Sequence, residues 1–383
     1  MKIGIDARFY GSLGKGLGRY TEKLITYLEQ IPEDTNTYVV FLRRENFAEY
    51  QPANSRFEKR VADYSWYGWQ EQFRFPWLLW RFHFDLIHFP QFKVPIFVPA
   101  PFVVTLHDLI LLHYPTVKAS ELSPFLYWLK YLIYRVVIAL AVRRARAIIT
   151  VSRFTRSDIE SVFPQARSKT FTTLEAADPY CAWMHPHAER AFLQSQGLVS
   201  LSDPAAGITP YVLYVGNAYP HKNLPLLLRV APRFPDMLFL CVGREDYFYR
   251  TFREQVAAAG IGNIRFTGYV DDRSLGVLYR RARAYFFPSL YEGFGLPGLE
   301  AMNVGTPVIA ARAGSLPEIY GEAARYFDPT DLTACETALR NALQSEERDQ
   351  YRVAGFARVA QFSWQRMARE TLQLYGTIPT RRY

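Results

Sequence analysis

The chain has 383 residues, which at roughly 150 residues per domain is enough for two or three domains. Its composition is 49% hydrophobic and 21% charged, which excludes a disordered or collagen-like chain. The formal net charge of +9 makes an anionic partner worth considering, whether nucleic acid, an anionic membrane surface or a phosphorylated small molecule.

The positive charge is unevenly distributed along the chain. Residues 51–150 hold 12 Lys or Arg and 6 Asp or Glu, a net charge of +6. Residues 351–383 hold 6 Arg and 1 acidic residue, a net charge of +5, whereas residues 201–350 hold 15 basic and 17 acidic residues, a net charge of −2. The excess therefore lies in the first half and in the C-terminal tail.

The cysteines and the N-terminal residues indicate the cellular compartment of the protein. Cys181, Cys241 and Cys335 lie far apart and form no CxxC pair, so neither zinc nor a disulfide framework is indicated. The N-terminus carries a charge at Asp6 and has no apolar signal core. These features predict a cytoplasmic protein, with a peripheral position at the inner face of the cell membrane as an open alternative.

In the first half, short apolar runs bounded by turn residues alternate with helical stretches. Such alternation predicts a parallel sheet covered by helices on both faces. A Gly-rich turn from Gly11 to Gly18 and a helix over Arg19–Gln30 follow the first run. The runs are Lys2–Ile5, Tyr38–Leu42, Leu86–Phe89, Phe102–Leu106 and Ala147–Val151.

One segment, Pro124–Ala147, is long and apolar enough to consider a membrane span. Lys130 and Arg135 interrupt it, and charges at such depths are costly in lipid, so a transmembrane helix is rejected. The preferred interpretation is a helix buried in the core of the first domain. The alternative is a surface helix that dips into an anionic leaflet, with Trp66, Trp69, Trp77, Trp80 and Trp128 nearby in the sequence.

The second half repeats the alternation and predicts a second doubly wound α/β domain. We expect a first domain over residues 1–195, a second over 208–362, and a tail over 363–383 that returns to the first. Ligands of such domains bind where strands end, so we expect a site in a cleft between the two. The predicted strands are Tyr211–Val215, Met237–Val242, Ile264–Thr267, Ala284–Phe287 and Pro307–Ala310, and the helices are Leu224–Arg233, Tyr247–Ala259, Arg273–Arg283 and Leu299–Asn303.

The strongest motif follows the strand at 284–287 and reads PSLYEGFGLPGLEAM over residues 288–302. Glycines in it allow the backbone to approach a ligand, and Pro297 suits a helix start. A helix beginning there aims free N–H groups at the loop, which creates an anion site. Glu292 and Glu300 would be unfavourable beside an anion unless they accept hydrogen bonds from hydroxyl groups. A phosphorylated sugar supplies both the anion and the hydroxyls.

This motif resembles the signature of the GT-B glycosyltransferases of the large retaining family 4, in which two glutamates stand eight residues apart. The continuations GTPVIA at 305–310 and GSLPE at 314–318 match as well, and the resemblance covers essentially the whole chain. It implies two Rossmann-like domains, the first for the acceptor and the second for the donor. It also implies that Glu292 contacts the donor sugar and that Glu300 holds the ribose. The backbone at Phe294, Gly295 and Leu296 would meet the sugar and the diphosphate.

A second loop reads VGNAYPHKN over residues 215–223, where a strand ends at Gly216 and a helix is expected to begin near Asn223, a capping residue. Gly216 is an expected donor contact, and Lys222 would lie at the strand end and neutralise the leaving diphosphate. The family usually has Arg at the position of His221, which would bond phosphate only when protonated or through one neutral N–H.

The Gly-rich turn after the first strand is a weak signal by itself, since it matches neither a dinucleotide fingerprint nor a Walker A loop. By resemblance, it closes on the diphosphate and borders the acceptor site. Gly16 is the expected donor contact, and Lys15 an acceptor or phosphate contact.

His107 and Asp108 follow the strand at 102–106. By resemblance, His107 contacts the donor sugar near the reacting carbon. Asp108 either orients the imidazole or caps the next turn.

Backbone groups near Tyr269 and Val270, after the strand at 264–267, are expected to bind the base of the nucleotide. Asp271 and Asp272 suit a helix N-terminus better than a metal site, and the resemblance implies no metal.

Together these features predict transfer of a hexosyl unit, with retention, from a nucleoside diphosphate sugar to a hydroxyl group of a glycan or lipid-linked acceptor. The sequence looks most like mannosyltransferases of surface polysaccharide assembly, so GDP-mannose is the favoured donor, and no cofactor is expected. The alternatives are a sugar-nucleotide epimerase or hydrolase of the same fold, and a non-catalytic basic protein bound to a membrane surface. No nucleic-acid motif is present. The charge distribution instead indicates an acceptor presented at an anionic surface.

Overall fold

The computed structural model describes residues 1–11, 15–64, 69–116, 124–178, 184–199 and 207–379. They divide into two compact units. The first consists of the described residues within 1–112, 122–175 and 363–383, and the second of those within 113–121 and 176–362. Each unit contains a parallel sheet with helices connecting its strands.

The sheet of the first unit has seven described strands in the order β3-β2-β1-β4-β5-β6-β7, all paired in parallel. The central strands are buried along their whole length because both faces of the sheet are covered. The chain order reverses between β1 and β4, the position where such sheets place ligand-binding loops. The strands are β1 (Lys2–Asp6), β2 (Thr37–Leu42), β3 (Phe57–Val61), β4 (Leu86–Phe89), β5 (Phe102–Leu106), β6 (Ala147–Thr150) and β7 (Thr170–Thr172).

Helices of the first unit follow the strands in the doubly wound pattern. α5 begins where the Ser152 side chain accepts a hydrogen bond from the backbone N–H of Thr155, 3.0 Å away. The helices are α1 (Lys15–Glu29), α2 (Trp69–Trp80), α3 (Ile110–His113), α4 (Pro124–Arg144) and α5 (Arg153–Val162).

The sheet of the second unit has six described strands in the order β10-β9-β8-β11-β12-β13, again all parallel. Its order reverses between β8 and β11, so the loops after these two strands lie at one edge of the sheet. The strands are β8 (Tyr211–Val215), β9 (Leu238–Val242), β10 (Ile264–Gly268), β11 (Ala284–Phe287), β12 (Val308–Ala311) and β13 (Ala324–Phe327).

The helices of the second unit complete the same architecture, and the predicted fold class of two doubly wound α/β domains is confirmed. The helices are α6 (Pro186–Ser195), α7 (Leu226–Val230), α8 (Tyr247–Ala258), α9 (Asp272–Arg281), α10 (Leu296–Asn303), α11 (Leu316–Tyr320), α12 (Leu332–Ala342) and α13 (Ser345–Val359).

The structure divides the units between residues 175 and 176, about twenty residues before the expected end of the first domain at 195. α6 contacts α9 of the second unit, and its Glu189 forms ion pairs there with Arg280 at 2.8 Å and Arg281 at 2.6 Å. These pairs join α6 to the second unit. Ionic contacts between distant segments of this kind leave no periodic signal in the sequence.

The chain rejoins the first unit at Ser363, the residue at which the expected tail begins. Its last helix, α14 (Trp364–Thr377), packs against α1. Tyr375 of α14 lies with its hydroxyl 2.6 Å from Nδ1 of His88 in β4, and both residues are buried. The tail helix is therefore joined to the sheet of the first unit by a buried polar contact as well as by packing.

The structure corrects the preferred interpretation of α4 as a helix buried in the core. One side of α4 packs inward through Tyr134, Ile138 and Val142, whereas the opposite side is exposed. The sequence looked like a core helix because both sides are apolar, and Lys130 and Arg135 lie between them. None of the helices among the described residues is long and apolar enough to cross a membrane.

Candidate functional site

The loop after β11 places Glu292 beside Lys222 of the loop after β8. Lys222 Nζ lies 2.6 Å from Glu292 Oε1, and the two side chains are only 14% and 9% exposed. This ion pair joins the two loops at the C-terminal ends of β8 and β11, the neighbouring central strands between which the strand order reverses. The structure thus brings together two of the residues that the sequence assigned to the donor site.

The Glu292 loop is held from behind by α11 and the turn before it. The backbone N–H of Ser315 donates to the Glu292 carbonyl at 3.1 Å, and the Tyr320 hydroxyl donates to the Gly295 carbonyl at 2.6 Å. Gly314 has a φ of 59°, and a Cβ on it would lie 2.6 Å from the Glu292 backbone nitrogen. Only glycine allows this approach, so the GSLPE segment serves to fix the Glu292 backbone.

α10 begins directly after this loop. Gly295 precedes it with a φ of 100°, a left-handed conformation that suits glycine, and Pro297 lies in the first turn. The N–H groups of this turn give the end of the helix a positive potential. Phe294, Gly295 and Leu296 therefore offer backbone groups suited to an anion, and their contact with the donor stays a prediction.

The loop after β8 differs from its sequence-based description. Residues Pro220–Lys222 form a 3-10 turn, α7 begins only at Leu226, and Asn223 has a left-handed φ of 57°. Asn223 therefore ends this 3-10 turn and is not the N-terminal cap of an α-helix. Asparagine tolerates this left-handed backbone conformation. Its side-chain amide donates to the carbonyls of two residues distant in sequence, Pro288 at 3.2 Å and Pro329 at 3.4 Å. Asn223 thus connects the two loops that carry Lys222 and Glu292.

His221 is buried in the second unit, and its ring lies 6.1 Å from those of Tyr114 and Tyr219. Burial, together with the charge of the adjacent Lys222, lowers its pKa from 6.5 to about 3. The imidazole is therefore neutral near neutral pH. A neutral imidazole would bond a phosphate through its single N–H and not as a cation. Lys222 is therefore the residue that supplies positive charge in this turn.

Glu300 lies buried in α10, where the hydroxyl of Tyr279 donates to its Oε2 at 3.2 Å. Tyr279 belongs to α9 and is also fully buried. A buried carboxylate must be hydrogen-bonded, and here one bond comes from the adjacent helix. Tyr279 therefore orients the carboxylate that the resemblance assigns to the ribose.

The other expected donor contacts lie after β8 and β10. Gly216 accepts a hydrogen bond from the Tyr249 hydroxyl at 3.0 Å and donates to the Val242 carbonyl at 3.0 Å. Tyr269 and Val270 follow β10, with the Tyr269 ring exposed and the guanidinium of Arg244 4.9 Å from its centre. Base recognition by Tyr269 and Val270 stays a prediction.

In the first unit, His107 follows β5 and is fixed through both ring nitrogens. Nδ1 lies 3.1 Å from Glu175 Oε1, and Nε2 lies 3.0 Å from the Pro90 carbonyl oxygen. Burial opposes the charged ring, but the hydrogen bond and charge of Glu175 outweigh it and raise the pKa of His107 above 6.5. Both partners are acceptors, so the doubly protonated imidazolium satisfies both bonds.

Asp108 takes the capping position: its Oδ1 accepts from the backbone N–H of Ile110 at 2.9 Å, and its charge contributes to raising the pKa of His107. Glu175, and not Asp108, orients the imidazole of His107.

Gly16 lies exposed in the first turn of α1. The side chain of Lys15 lies outside the described residues, so its acceptor role stays a prediction.

Asp271 confirms the interpretation of the acidic pair as a helix start. It caps α9, and its Oδ1 accepts from the Ser274 N–H at 3.0 Å. Within the described part of the chain, no group of three or more His, Cys, Asp or Glu side chains is arranged to hold a metal ion.

Sequence reasoning missed three residues that support this site, namely Tyr279, Tyr320 and Glu175. Glu175 could have been noticed, because it lies three residues after β7, at the strand ends where His107 was expected. The two tyrosines act through single hydroxyl groups on helices distant in sequence. No periodicity or motif signals such contacts.

Two family models match consecutive parts of the chain. The model described as "Glycosyltransferase Family 4" matches residues 14–172, and the model described as "Glycosyl transferases group 1" matches residues 204–355. Each matched region falls almost wholly within one of the two units.

Two of the curated relatives that the chain resembles are mannosyltransferases of O-antigen assembly. The chain is 34% identical over 243 residues to O-antigen chain mannosyltransferase B of Escherichia coli, which covers 61% of this chain and 61% of that enzyme. It is 24% identical over 348 residues to O-antigen chain mannosyltransferase RfbU of Salmonella typhimurium, with 87% of this chain and 89% of that enzyme covered. The chain thus matches about three fifths of the first relative's length and most of the second's.

Among solved structures, the chain is similar to Anabaena Alr3699/HepE in complex with UDP-glucose. The TM-score is 0.72, with 18% identity, and the match covers 98% of this chain and all of that one. This likeness shows the fold, which is the GT-B fold of glycosyltransferases.

Proposed function

Because the chain belongs to the family 4 and group 1 glycosyltransferases, whose two domains its units match, we propose that it transfers a mannosyl unit from a nucleoside diphosphate sugar, preferably GDP-mannose, to a hydroxyl group. The acceptor we propose is a glycan or a lipid-linked glycan. Besides the family, the proposal rests on residues of the second unit, above all Lys222 and Glu292.

The observation that carries the proposal is the ion pair of Lys222 with Glu292 in the loops that follow β8 and β11. A diphosphate at these loops would meet the Lys222 ammonium and the first turn of α10. Both would stabilise the negative charge that grows on the diphosphate as the sugar leaves, and such electrostatic stabilisation usually contributes more to the rate than any other effect. Glu292, adjacent to Lys222, would accept hydrogen bonds from sugar hydroxyls and keep the ammonium in place.

We propose retention of configuration through a front-face mechanism. The bond between the sugar carbon and the diphosphate oxygen breaks, and the acceptor oxygen bonds to the same face of the sugar. The leaving diphosphate takes the proton of the acceptor hydroxyl. In this scheme Lys222 and α10 lower the energy of the departing group and no covalent sugar–enzyme intermediate is formed.

Two further contacts complete the proposed donor site. Glu300, oriented by Tyr279, would accept hydrogen bonds from the ribose hydroxyls. His107, held by Glu175 and Pro90, would contact the donor sugar near the reacting carbon.

We propose that the reaction needs no divalent metal. The positive charge that a metal would bring to the diphosphate is supplied here by the Lys222 ammonium and the end of α10. Turnover measured after exhaustive treatment with EDTA should equal turnover with added Mg²⁺ or Mn²⁺. A loss of activity on chelation that Mg²⁺ or Mn²⁺ restores would contradict this part of the proposal.

The choice of donor rests on the relatives, two of which are named as mannosyltransferases, whereas the Anabaena structure holds UDP-glucose. The test is nucleotide release in the presence of a membrane extract as acceptor source. GDP release from GDP-mannose should exceed UDP release from UDP-glucose or UDP-N-acetylglucosamine, and the reverse order would overturn the donor assignment. The anomeric configuration of the mannosylated product, read by NMR, tests retention.

A further inference from the structure

The exposed side of α4 carries a continuous stripe of large apolar side chains. The spacing follows the 3.6-residue helical repeat, so these residues share one face, opposite the side that packs into the core. Phe125 is 77% exposed and Leu132 56% exposed. The members of this stripe are Phe125, Trp128, Leu129, Leu132, Ile133 and Val136.

The same helix is strongly basic. α4 contains Lys130, Arg135, Arg143 and Arg144 and no acidic residue, a net charge of +4 over its 21 residues. At 100° per residue, Lys130 and Arg135 lie on opposite flanks of the stripe, while Arg143 continues it toward the C-terminus. An apolar stripe with cations along its margins is the pattern of a helix that lies in the plane of an anionic bilayer surface.

A second helix of the first unit, α2, also exposes large aromatic side chains. The side chain of Gln72 in α2 accepts from the Ile96 N–H at 2.9 Å, and the Arg144 guanidinium donates to the Ile96 carbonyl, so α2 and the end of α4 meet at one loop. α2 exposes Trp77 and Trp80, the latter by 60%. Tryptophan is favoured at the level of lipid headgroups because its ring is apolar and its N–H is polar.

From these observations we infer that the α4 stripe, with Trp77 and Trp80 of α2, is a docking surface for an anionic lipid leaflet. Hydrophobic burial of the stripe and attraction of its cations to the headgroups act together. A second copy of the chain fits less well, since pairing two such surfaces would bring like charges together. The inference goes beyond sugar transfer and does not depend on which donor is used.

The experiment is co-sedimentation of the full chain with vesicles of phosphatidylcholine, with or without phosphatidylglycerol. The wild-type chain should bind the mixed vesicles and bind pure phosphatidylcholine much more weakly. Leu129→Ser with Leu132→Ser should weaken partitioning into mixed vesicles by roughly tenfold or more, because two side chains leave the acyl boundary. Lys130→Gln with Arg135→Gln should weaken it by about fivefold per cation removed, and added salt should mimic this change.

The matched control is Val353→Ser, which removes an apolar side chain 65% exposed on α13 of the second unit and should leave binding unchanged. The melting temperature and the far-ultraviolet circular dichroism spectrum of each variant should match those of the wild type, which shows that each variant is folded. Equal binding of wild-type and stripe variants would overturn the inference, and so would failure of the wild type to bind mixed vesicles. A stable dimer that the leucine variants dissociate, without vesicle binding, would assign the surface to a second copy instead.

Discussion

Lys222 Nζ and Glu292 Oε1 lie 2.6 Å apart, and both side chains are largely withdrawn from solvent. Removing one partner of such a pair leaves an uncompensated charge. We expect Lys222→Met to cost about 3 kcal/mol of stability in the second unit. Combining it with Glu292→Gln should recover most of this loss, because no charge then remains unpaired. Thermal unfolding of both single variants and the double variant measures the coupling.

The control for this cycle is Arg233→Met. Arg233 pairs with Glu336 at 2.6 Å in the same unit, but its side chain is 49% exposed. Exposed pairs contribute little, so a change below about 1 kcal/mol is expected. Equal losses for Lys222→Met and Arg233→Met would contradict the account of a buried pair.

Tyr279 should affect donor binding through Glu300 without taking part in bond breaking. Tyr279→Phe removes the hydroxyl that donates to Glu300 Oε2, so the carboxylate loses one orienting bond. We expect the KM for the donor to rise by about two- to tenfold, with kcat changed much less, since one neutral hydrogen bond is worth about 0.5–1.5 kcal/mol. The control is Tyr211→Phe, whose hydroxyl bonds the Leu278 carbonyl of the same helix. A donor KM that rises equally in both variants would indicate a general packing effect.

Gly314 should be intolerant of any side chain. Gly314→Ala combines a strained φ of 59° with a Cβ that would lie 2.6 Å from the Glu292 backbone nitrogen. We expect a loss of about 1–3 kcal/mol in stability and a severe loss of transfer, because the loop must move. Gly262→Ala is the control, since a Cβ there meets no atom within 4 Å. Wild-type turnover and melting temperature in Gly314→Ala would show that the Glu292 loop is not fixed in this way.

His88 predicts acid sensitivity of the first unit. Burial lowers its pKa from 6.5 to about 3, so the folded state holds the ring neutral while the unfolded state takes up a proton below pH 6.5. Its contribution to stability is therefore present above pH 6.5 and is lost as the pH falls toward 3, by up to about 1.4 kcal/mol per pH unit. His88→Gln, which cannot titrate, should flatten the pH dependence of unfolding between pH 6.5 and 4. An unchanged slope would contradict the prediction.

The fold class and most central strands could be predicted because buried parallel strands are short apolar runs, as at Ala284–Phe287, which forms β11 with the same bounds. The edge strands β3, β7 and β13 were missed, whereas the edge strand β10 was predicted. β3 reads FEKRV and is largely open to solvent, so it lacks the signal of a buried strand. α4 was wrongly predicted to be buried on all sides. Its sequence shows that two sides of the helix are apolar, but it does not show which side packs against the rest of the protein. The unit boundary depends on ion pairs of Glu189 that no local pattern records.

In the candidate site, the residues at strand ends could be predicted because the carboxyl ends of parallel strands meet at one edge. Lys222 and Glu292 were found in this way. Asn223 was assigned to a helix cap because asparagine favours both caps and left-handed turns, and the sequence does not separate the two. The orienting hydroxyls of Tyr279 and Tyr320 depend on tertiary contacts between helices and are visible only in the structure.

Stabilisation of the leaving diphosphate by the Lys222 ammonium is tested by the turnover of GDP-mannose by Lys222→Met, with membrane extract as acceptor source. We expect a fall in kcat of at least about a hundredfold, the usual cost of removing one group that stabilises developing charge. The loss should persist when turnover is measured well below the melting temperature of Lys222→Met, which separates catalysis from folding. Turnover by Lys222→Met within a few-fold of the wild type would contradict this role of Lys222.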